Sequence, residues 1–404
     1  MKDIFTIMIA GDLFPSQKNM DQFLAGDGQA LYGEKLLELF RGADCRVCNL
    51  EGALTDTGKA IKKVDPVICA PTQAVNGVKA LGIDCVSLAN NHILDCGAAG
   101  YEETCRTLSE NGIGFFGAGP NKDEIGASMI IDTSAGTDAD AAGARPGKKV
   151  GFYAVAETMF NVPGADYPGA NLYDEYRTLK EIRELKGQCD YLIVLYHGGT
   201  EFFWFNSKMA RRRFHRMAES GADLVIAQHT HCVGIEEEYQ GSRLIYGQGD
   251  FLFARSVNEY KETGLVIEVT VPRGDGEGKT AGSDAAGAVQ ITKHLVRHSG
   301  GAVFYDEEQD MTAFDERSRR FADGETFDRE FEEYAQEKLT MFLRAFRGHN
   351  VGDMIYRKIF GPEKYARYIR KKYNEKQILR MISALQFEEF NEVAVRGLWD
   401  LIEK

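Results

Sequence analysis

Hydrophobic and polar positions alternate along the chain, up to about residue 250, in the manner of an α/β protein. Short runs rich in β-branched residues predict strands, and apolar residues at helical spacing predict helices between them. The predicted strands are Ile4–Ala10, Arg46–Leu50, Cys85–Ala89, Met129–Asp132, Val150–Val155, Tyr191–Tyr196 and Leu224–Ala227. The predicted helices are Gly33–Phe40, Thr72–Leu81, Gly97–Asn111, Leu172–Lys186 and Ser207–Ser220.

The pattern changes in the later part of the chain. Strand candidates follow one another without long helices at Arg243–Tyr246, Gly264–Val271 and Val289–Leu295, which predicts a mixed or antiparallel region of sheet. From about Glu307, charges are dense and aromatic residues recur at helical spacing, so Met311–Lys404 is predicted to be helical.

These changes predict two parts of the molecule. We expect residues 1–300 to form the α/β domain and residues 301–404 to form a mainly helical C-terminal extension. Two stretches inside the domain, at about 133–149 and 272–287, are rich in Gly, Ala and Asp and have little to bury. We predict that both are loop insertions at the surface.

Composition and charge narrow the class of protein. The chain has 404 residues, of which 44% are hydrophobic and 27% are charged, as in a globular protein with a sizeable core. Its net charge of −13 repels phosphate backbones and disfavours a nucleic-acid partner. No stretch is long and apolar enough to cross a bilayer, and the N-terminus lacks the features of a signal peptide. These features predict a cytoplasmic protein.

Eight cysteines are spread along the chain without the density of a disulfide-rich scaffold. Cys45 and Cys48 have the spacing of a redox or zinc motif, but they lie in a predicted strand. Positions three apart on a strand face opposite sides, so the two thiols are poorly placed to share one metal. We therefore expect reduced, mostly buried thiols.

Polar residues that can perform chemistry cluster where predicted strands end. They are Asp12, Glu51, Asn90, Asn91, His92, His197, His229 and His231. The carboxyl ends of neighbouring strands converge on one crevice in an α/β sheet, which is the usual ligand site. Each residue taken alone also has an ordinary structural explanation, such as a turn for Asp12 or a hydrogen-bonded core position for His197. Together the residues predict a metal site.

The types of donor indicate which metals suit the site. Imidazole combined with carboxylate and amide oxygen suits Zn, Mn or Fe better than Ca or Mg. Six candidate ligands exceed the needs of one tetrahedral ion, so we expect two divalent transition-metal ions, with occupancy by a single ion as the alternative.

Four segments carry a resemblance to a known family. They are Asn49–Thr55, Ser87–Gly97, Gly221–His231 and Tyr246–Phe251. Their order along the chain and their amino-acid sequences resemble those of the CapA family of poly-γ-glutamate capsule biosynthesis proteins, which are related to calcineurin-like metallophosphoesterases. The resemblance covers roughly residues 4–270 and implies a four-layer α/β/β/α sandwich with a metal site at one edge.

The resemblance also implies roles for single residues. The implied metal ligands are Asp12, Glu51, Asn91, His197, His229 and His231, with Glu51 as the bridge between two ions. His92 would donate a proton to the leaving group or stabilise developing charge, and Asp95 would hold it in place. Asn90 and Glu201 are the expected substrate contacts.

Three positions differ from the classical phosphoesterase pattern. Phe14 stands where a metal-binding histidine is usual, Glu51 replaces the bridging aspartate, and Asp250 replaces an asparagine. The first two changes alter the ligand set of one metal, which is why a single bound ion stays an alternative.

The resemblance implies a metal-dependent hydrolase that uses an activated water on a phosphoester or a γ-glutamyl amide, in capsule, poly-γ-glutamate or exopolymer metabolism. Its substrate would be a small molecule or an anionic polymer. The alternative is a non-catalytic scaffold for capsule assembly with a structural or vestigial metal site. In that case the helical tail, which is basic and aromatic over Lys364–Tyr373, would bind a protein partner.

Overall fold

The computed structural model describes two compact units, Met1–Phe327 and Asp328–Lys404. The described residues are 4–63, 66–134, 147–253, 262–273, 288–322, 324–334, 351–375 and 377–378. Most of the two expected insertions, at about 133–149 and 272–287, lies outside the described residues.

The first unit extends beyond the expected boundary at residue 300, because a further strand and a further helix belong to it. The strands are β1 Ile4–Phe14, β2 Cys45–Leu50, β3 Ala53–Leu54, β4 Cys69–Ala70, β5 Cys85–Ser87, β6 Gly114–Phe116, β7 Ala118–Gly119, β8 Ser128–Asp132, β9 Lys149–Ala156, β10 Gly169–Ala170, β11 Tyr191–His197, β12 Leu224–Gln228, β13 Glu236–Tyr239, β14 Ser242–Ile245, β15 Asp250–Phe253, β16 Thr263–Pro272, β17 Gln290–Ser299 and β18 Ala302–Tyr305. The helices are α1 Met20–Ala25, α2 Gly28–Gly42, α3 Val75–Ala80, α4 Gly97–Glu110, α5 Glu175–Lys186, α6 Lys208–Glu219 and α7 Thr312–Phe321, with a short 3-10 helix at Thr72–Ala74.

Two large sheets form the centre of the first unit. The first sheet has the order β18-β17-β16-β1-β2-β5-β6, and β15 also pairs with β1. Strand β1 is antiparallel to β16 as far as Ile9 and parallel to β15 from Asp12 onward. The second sheet has the order β13-β14-β12-β11-β9-β8, in which the four central strands are parallel. The expected mixed sheet in the later strands is therefore confirmed.

Helices cover the outer faces of the two sheets, which pack against each other inside. The rings of Phe116 and Phe152, one from each sheet, lie 6.2 Å apart between centroids. On the outer face of the second sheet, Phe214 of α6 packs 5.2 Å from the ring of Tyr196. On the first sheet, Phe40 of α2 packs 5.7 Å from Phe251. This arrangement confirms the expected four-layer α/β/β/α sandwich.

The second unit contains helix α8, Val351–Arg370, which is interrupted at Gly361. Gly361 has a φ of 80°, and Pro362 follows it, so the helical hydrogen-bond ladder breaks there. Tyr356 and Tyr368, one from each half, stack with their ring centroids 4.4 Å apart. Among the described residues, no helix combines the length and apolarity needed to cross a membrane.

The expectation of reduced thiols is wrong for one pair of cysteines. Cys69 of β4 and Cys96, which precedes α4, form a disulfide across a separation of 27 residues. The pairing depends on how β4 is brought beside the start of α4, which no local spacing reveals. Cys45 and Cys48 are free and buried, as expected for these two thiols.

Candidate metal centre

The candidate ligands meet where strands of both sheets end. Two sets of three buried side chains have ligand atoms within 4.8 Å of one another. The first donor group is Glu51, His197 and His229, and the second donor group is Asp12, His231 and Asp250. These groups contain all five expected ligands that carry a carboxylate or an imidazole, and Asp250 joins them.

The first donor group draws on both sheets. Glu51 follows β2 of the first sheet, whereas His197 ends β11 and His229 follows β12 of the second sheet. His197 Nε2 lies 3.6 Å from Glu51 Oε1, and the rings of His197 and His229 are 5.0 Å apart between centroids. Asn91, the sixth expected ligand, places Oδ1 2.8 Å from His197 Nε2. Its amide oxygen therefore lies at this group, and coordination of a metal by Asn91 stays a prediction.

The second donor group depends on the exchange of partners along β1. Asp12 and Asp250 lie opposite each other in the parallel pairing of β1 with β15. His231 Nδ1 lies 2.6 Å from Asp250 Oδ1. Sequence reasoning missed Asp250 as a candidate ligand because it was weighed only as a departure from a family asparagine. The acidic residue itself, directly after Gly249, was the available signal.

Two of the histidines have an unusual backbone. His229 has a φ of 80° and His231 a φ of 56°, in the left-handed region that side chains other than glycine seldom adopt. Such conformations cost roughly 1–3 kcal/mol each and cluster at functional sites. The strain is consistent with a turn shaped to present both imidazoles to the same space.

Burial controls the charge of these groups. Burial raises the pKa of Asp12 to about 6, and the nearby Asp250 carboxylate adds to the increase. Burial also lowers the pKa of His229 to about 3 and that of His197 well below its usual range. Both imidazoles are therefore neutral and keep a lone pair for coordination. A cation placed between the groups would offset the cost of the buried carboxylates.

The donor set fits divalent transition-metal ions. It combines imidazole nitrogens and carboxylate oxygens without thiolate, which suits Zn, Mn or Fe. His229 Nδ1 is buried and has no hydrogen-bond partner within the part of the chain that the structure describes. A buried nitrogen of this kind is costly unless it binds something. These observations support a site for a divalent transition-metal ion.

Asn49 holds residues of both donor groups in place. Its Nδ2 donates to Asp12 Oδ1 at 2.7 Å and lies 3.2 Å from His197 Nδ1. Sequence reasoning did not assign Asn49 a role, although it stands two residues before Glu51 at the end of the same strand. Its position in β2, directly opposite Asp12 in the pairing with β1, explains the contact.

His92 and Asp95 lie beside the first donor group and contact each other. His92 Nε2 is 3.7 Å from Glu51 Oε1, so this nitrogen faces the site. On the other side of the ring, His92 Nδ1 is 2.7 Å from Asp95 Oδ2. The carboxylate therefore orients the imidazole.

The two expected substrate contacts differ in their surroundings. The side chain of Asn90 is buried, donates to Asn49 Oδ1 and to the carbonyl of Leu50, and accepts from the backbone N–H of His92. It thus joins neighbouring strand ends. Glu201 has a side chain that is 45% exposed, with Oε1 3.8 Å from His229 Nε2. Contact of either residue with substrate stays a prediction.

The fold and the site define a class: a four-layer α/β sandwich with a candidate two-metal centre at one edge. Residues 6–255 match the family model described as bacterial capsule synthesis protein PGA_cap. The match covers more than half of the chain, which therefore belongs to this family. The resemblance found in the four sequence segments is confirmed.

Several curated relatives are named for capsule, PGA or polyglutamine synthesis. The chain is 26% identical over 226 residues to capsule biosynthesis protein CapA of Bacillus anthracis, covering 53% of this chain and 51% of that protein. It is 25% identical over 230 residues to PGA biosynthesis protein CapA of Bacillus subtilis (strain 168), covering 56% and 58%. It is 27% identical over 232 residues to a probable polyglutamine synthesis accessory protein of Mycobacterium tuberculosis (strain CDC 1551 / Oshkosh), covering 54% and 58%. The chain thus spans little more than half the length of these relatives.

Proposed function

We propose that this chain is a metal-dependent hydrolase that acts in capsule, poly-γ-glutamate or exopolymer metabolism. The observation that carries the proposal is the placement of two buried donor groups side by side, with His92 facing the first of them. The family membership and the names of the relatives support the biological setting. The substrate would be a phosphoester or a γ-glutamyl amide, in a small molecule or an anionic polymer.

The proposed cofactors are two divalent transition-metal ions, Mn, Zn or Fe, one held by each donor group. When bound, such ions supply Lewis-acid chemistry that makes a water acidic near neutral pH and offsets charge on the substrate. Glu51, His197 and His229 would hold one ion, and Asp12, His231 and Asp250 would hold the other. Asn49 keeps Asp12 in position for binding, and Asn91, whose Oδ1 lies beside His197 Nε2, is a further proposed ligand.

His92 is the proposed proton donor for the leaving group. In phosphoester hydrolysis, the water oxygen forms a bond to phosphorus while the bond from phosphorus to the leaving oxygen breaks. The leaving oxygen keeps that electron pair and takes the proton from His92 Nε2, which faces the site. The proton released by the water restores that of His92 through solvent. Amide cleavage places the same proton on the leaving nitrogen.

Metal content and turnover, measured on the same preparation, test the proposal. The full chain, purified without chelator, should hold about two ions per chain by elemental analysis. His231→Ala should lose about one of them. His215→Ala is the matched control, because His215 likewise lies against a carboxylate, Glu237 at 3.0 Å, but is half-buried on α6 and outside both donor groups.

Turnover then distinguishes the substrates. The metal-loaded chain is offered 4-nitrophenyl phosphate and γ-glutamyl-4-nitroanilide, which report phosphoester and amide cleavage by the same colour change. Activity on either, lost on chelation and restored by Mn or Zn, supports the hydrolase. Bound ions without turnover of either probe would favour the assembly scaffold. Absence of metal after incubation with Mn or Zn would overturn the metal site itself.

A further inference from the structure

A buried lysine lies behind the His92–Asp95 pair. The side chain of Lys63 is only 1% exposed, although lysine is almost never fully buried unless its charge is paired. Its Nζ donates to Asp95 Oδ1 at 2.5 Å and lies 3.2 Å from His92 Nδ1. The ammonium also lies over the ring of Phe160, 5.3 Å from the centroid. Sequence reasoning gave Lys63 no role.

The contacts of Asp95 determine where the His92 proton resides. Asp95 Oδ2 lies 2.7 Å from His92 Nδ1 and accepts from the backbone N–H of Ile68 at 2.7 Å. A carboxylate can only accept, so we assign a proton to His92 Nδ1 and a hydrogen bond from it to Asp95. The same assignment makes Nε2 the nitrogen that exchanges a proton with the site. Lys63 occupies the remaining carboxylate oxygen.

Residues on both sides of Lys63 in the sequence contact Asp95. The backbone N–H of Ile61 donates to the carbonyl of Asp95 at 3.0 Å, and Ile68 binds its side chain. The disulfide then joins Cys69 to Cys96, the residue after Asp95. Main-chain hydrogen bonds and a covalent link therefore hold this segment against the aspartate. The contacts of these neighbouring residues fix the position of Lys63 beside Asp95.

We propose that Lys63 is a positioning residue for His92. Its ammonium holds Asp95 in the orientation that binds His92 Nδ1, and Asp95 in turn keeps Nε2 directed at the site. The inference rests on the proposed function, because a positioned proton donor matters only if the site performs hydrolysis. Among the residues that the structure describes, Lys63 makes no hydrogen bond or ion pair to a member of either donor group.

The first test does not require turnover. In the full chain labelled with ¹⁵N-histidine, the Nδ1–H signal of His92 is identified by its loss in His92→Ala. Lys63→Met should shift or remove this signal, because Asp95 loses the group that orients it. Lys186→Met is the matched control: Lys186 Nζ donates to Asp223 Oδ2 at 2.6 Å, and that oxygen also accepts from the Leu192 N–H at 2.6 Å.

The second test measures whether Lys63 acts through His92. Phenyl phosphate needs protonation of its leaving oxygen far more than 4-nitrophenyl phosphate does. We expect Lys63→Met to lower kcat at least about 10-fold on phenyl phosphate, less on 4-nitrophenyl phosphate, and to leave KM nearly unchanged. Lys63→Arg, which keeps the charge, should recover part of the loss. In a His92→Ala background, Lys63→Met should add nothing.

The outcomes separate the two proposals. An unchanged His92 Nδ1–H signal in Lys63→Met would overturn the positioning role, as would equal losses on both phosphates or a further loss in the His92→Ala background. If the metal-loaded wild type turns over neither phosphate and no γ-glutamyl amide, the proposed function fails, and the histidine signal still decides the role of Lys63. If Lys63→Met does not fold, the neutralised pair Lys63→Met/Asp95→Asn is compared with Asp95→Asn, and an identical signal and activity are expected.

Discussion

The two donor groups and the neighbouring His92–Asp95 pair differ in how their buried charges are stabilised. The donor side consists of the two donor groups. On this side, burial raises the pKa of Asp12 to about 6, and His229 and His231 adopt left-handed backbone conformations. On the acid side, formed by His92, Asp95 and Lys63, the Asp95 carboxylate is satisfied by His92, by the buried lysine and by the backbone N–H of Ile68. The donor side thus carries energetic costs that a bound cation would offset, whereas the acid side is stabilised by the protein alone. Substitutions on the two sides should therefore affect stability and function differently.

The largest loss of stability is expected on the acid side, for Asp95→Ala. Removing this carboxylate leaves the Lys63 ammonium buried without its ion-pair partner, which costs about 3–5 kcal/mol. Urea unfolding measures the change in the free energy of unfolding. Asp223→Ala is the control, because the Lys186–Asp223 pair is about one-third exposed and should cost much less. Equal losses would remove the contrast between a buried and a partly exposed pair.

Loss of the disulfide should have the next largest effect. Cys69→Ser/Cys96→Ser frees a loop closed over 27 residues, which corresponds to about 3 kcal/mol of the free energy of unfolding. The same urea titration detects it. Cys189→Ser, at a free and half-buried cysteine, should change stability by much less. A double variant as stable as the wild type would show that hydrogen bonds alone hold the segment around Asp95.

A smaller, pH-dependent effect is expected for Glu103→Gln. Hydrogen bonds from Thr55 and Thr57 hold the pKa of Glu103 at about 2, below its ordinary value of 4.5. The carboxylate therefore contributes its full stabilisation above about pH 4.5, and this contribution is lost as the pH falls toward 2. At pH 7 the variant should lose about 2 kcal/mol.

Unfolding at pH 7 and at pH 3 measures this dependence. The difference between wild type and Glu103→Gln should shrink at the lower pH. Glu102→Gln, at the exposed neighbouring position on α4, is the matched control and should change little at either pH. A gap that stays constant between the two pH values would contradict the role given to the ionised carboxylate.

The smallest effect on stability, with a clear effect on function, is expected on the donor side. Asp250→Asn removes one of two buried acids that face each other across β1 and β15, and its amide oxygen can still accept from His231 Nδ1. The metal-free variant should match the wild type within about 0.5 kcal/mol or exceed it. Elemental analysis should find about one ion fewer per chain. A variant that unfolds more easily yet keeps its metal would reverse the comparison.

Local pattern predicted the regular elements well, because each element buries a face whose period is visible in the sequence. The strand prediction Tyr191–Tyr196 ends one residue before the observed end of β11, and the helix prediction Ser207–Ser220 brackets α6. The cap at Ser207, whose side chain accepts from the N–H of Ala210, explains that start. Residues at strand ends were therefore located correctly, and with them most of the donors.

The features that escaped prediction depend on contacts between distant parts of the chain. Strand β15 is short, and it forms where it pairs with β1, so Asp250 gained its place only through that pairing. The Cys69–Cys96 bond and the burial of Lys63 likewise depend on how one segment folds around Asp95. Such contacts between distant parts of the chain cannot be predicted from residue type and local spacing.

The strand registers also show which positions of the chain lie far from the candidate metal centre and could carry an attached label. Ile4 pairs with Pro272, so the chain leaves β16 beside the start of β1, about 25 Å along the strand from Asp12. In the second sheet, β9 begins at Lys149 and reaches the level of His197 only at Ala156. A fluorophore or affinity tag introduced after Pro272 or before Lys149 would thus be attached at the opposite edge of the sandwich, leaving access to the metal centre open.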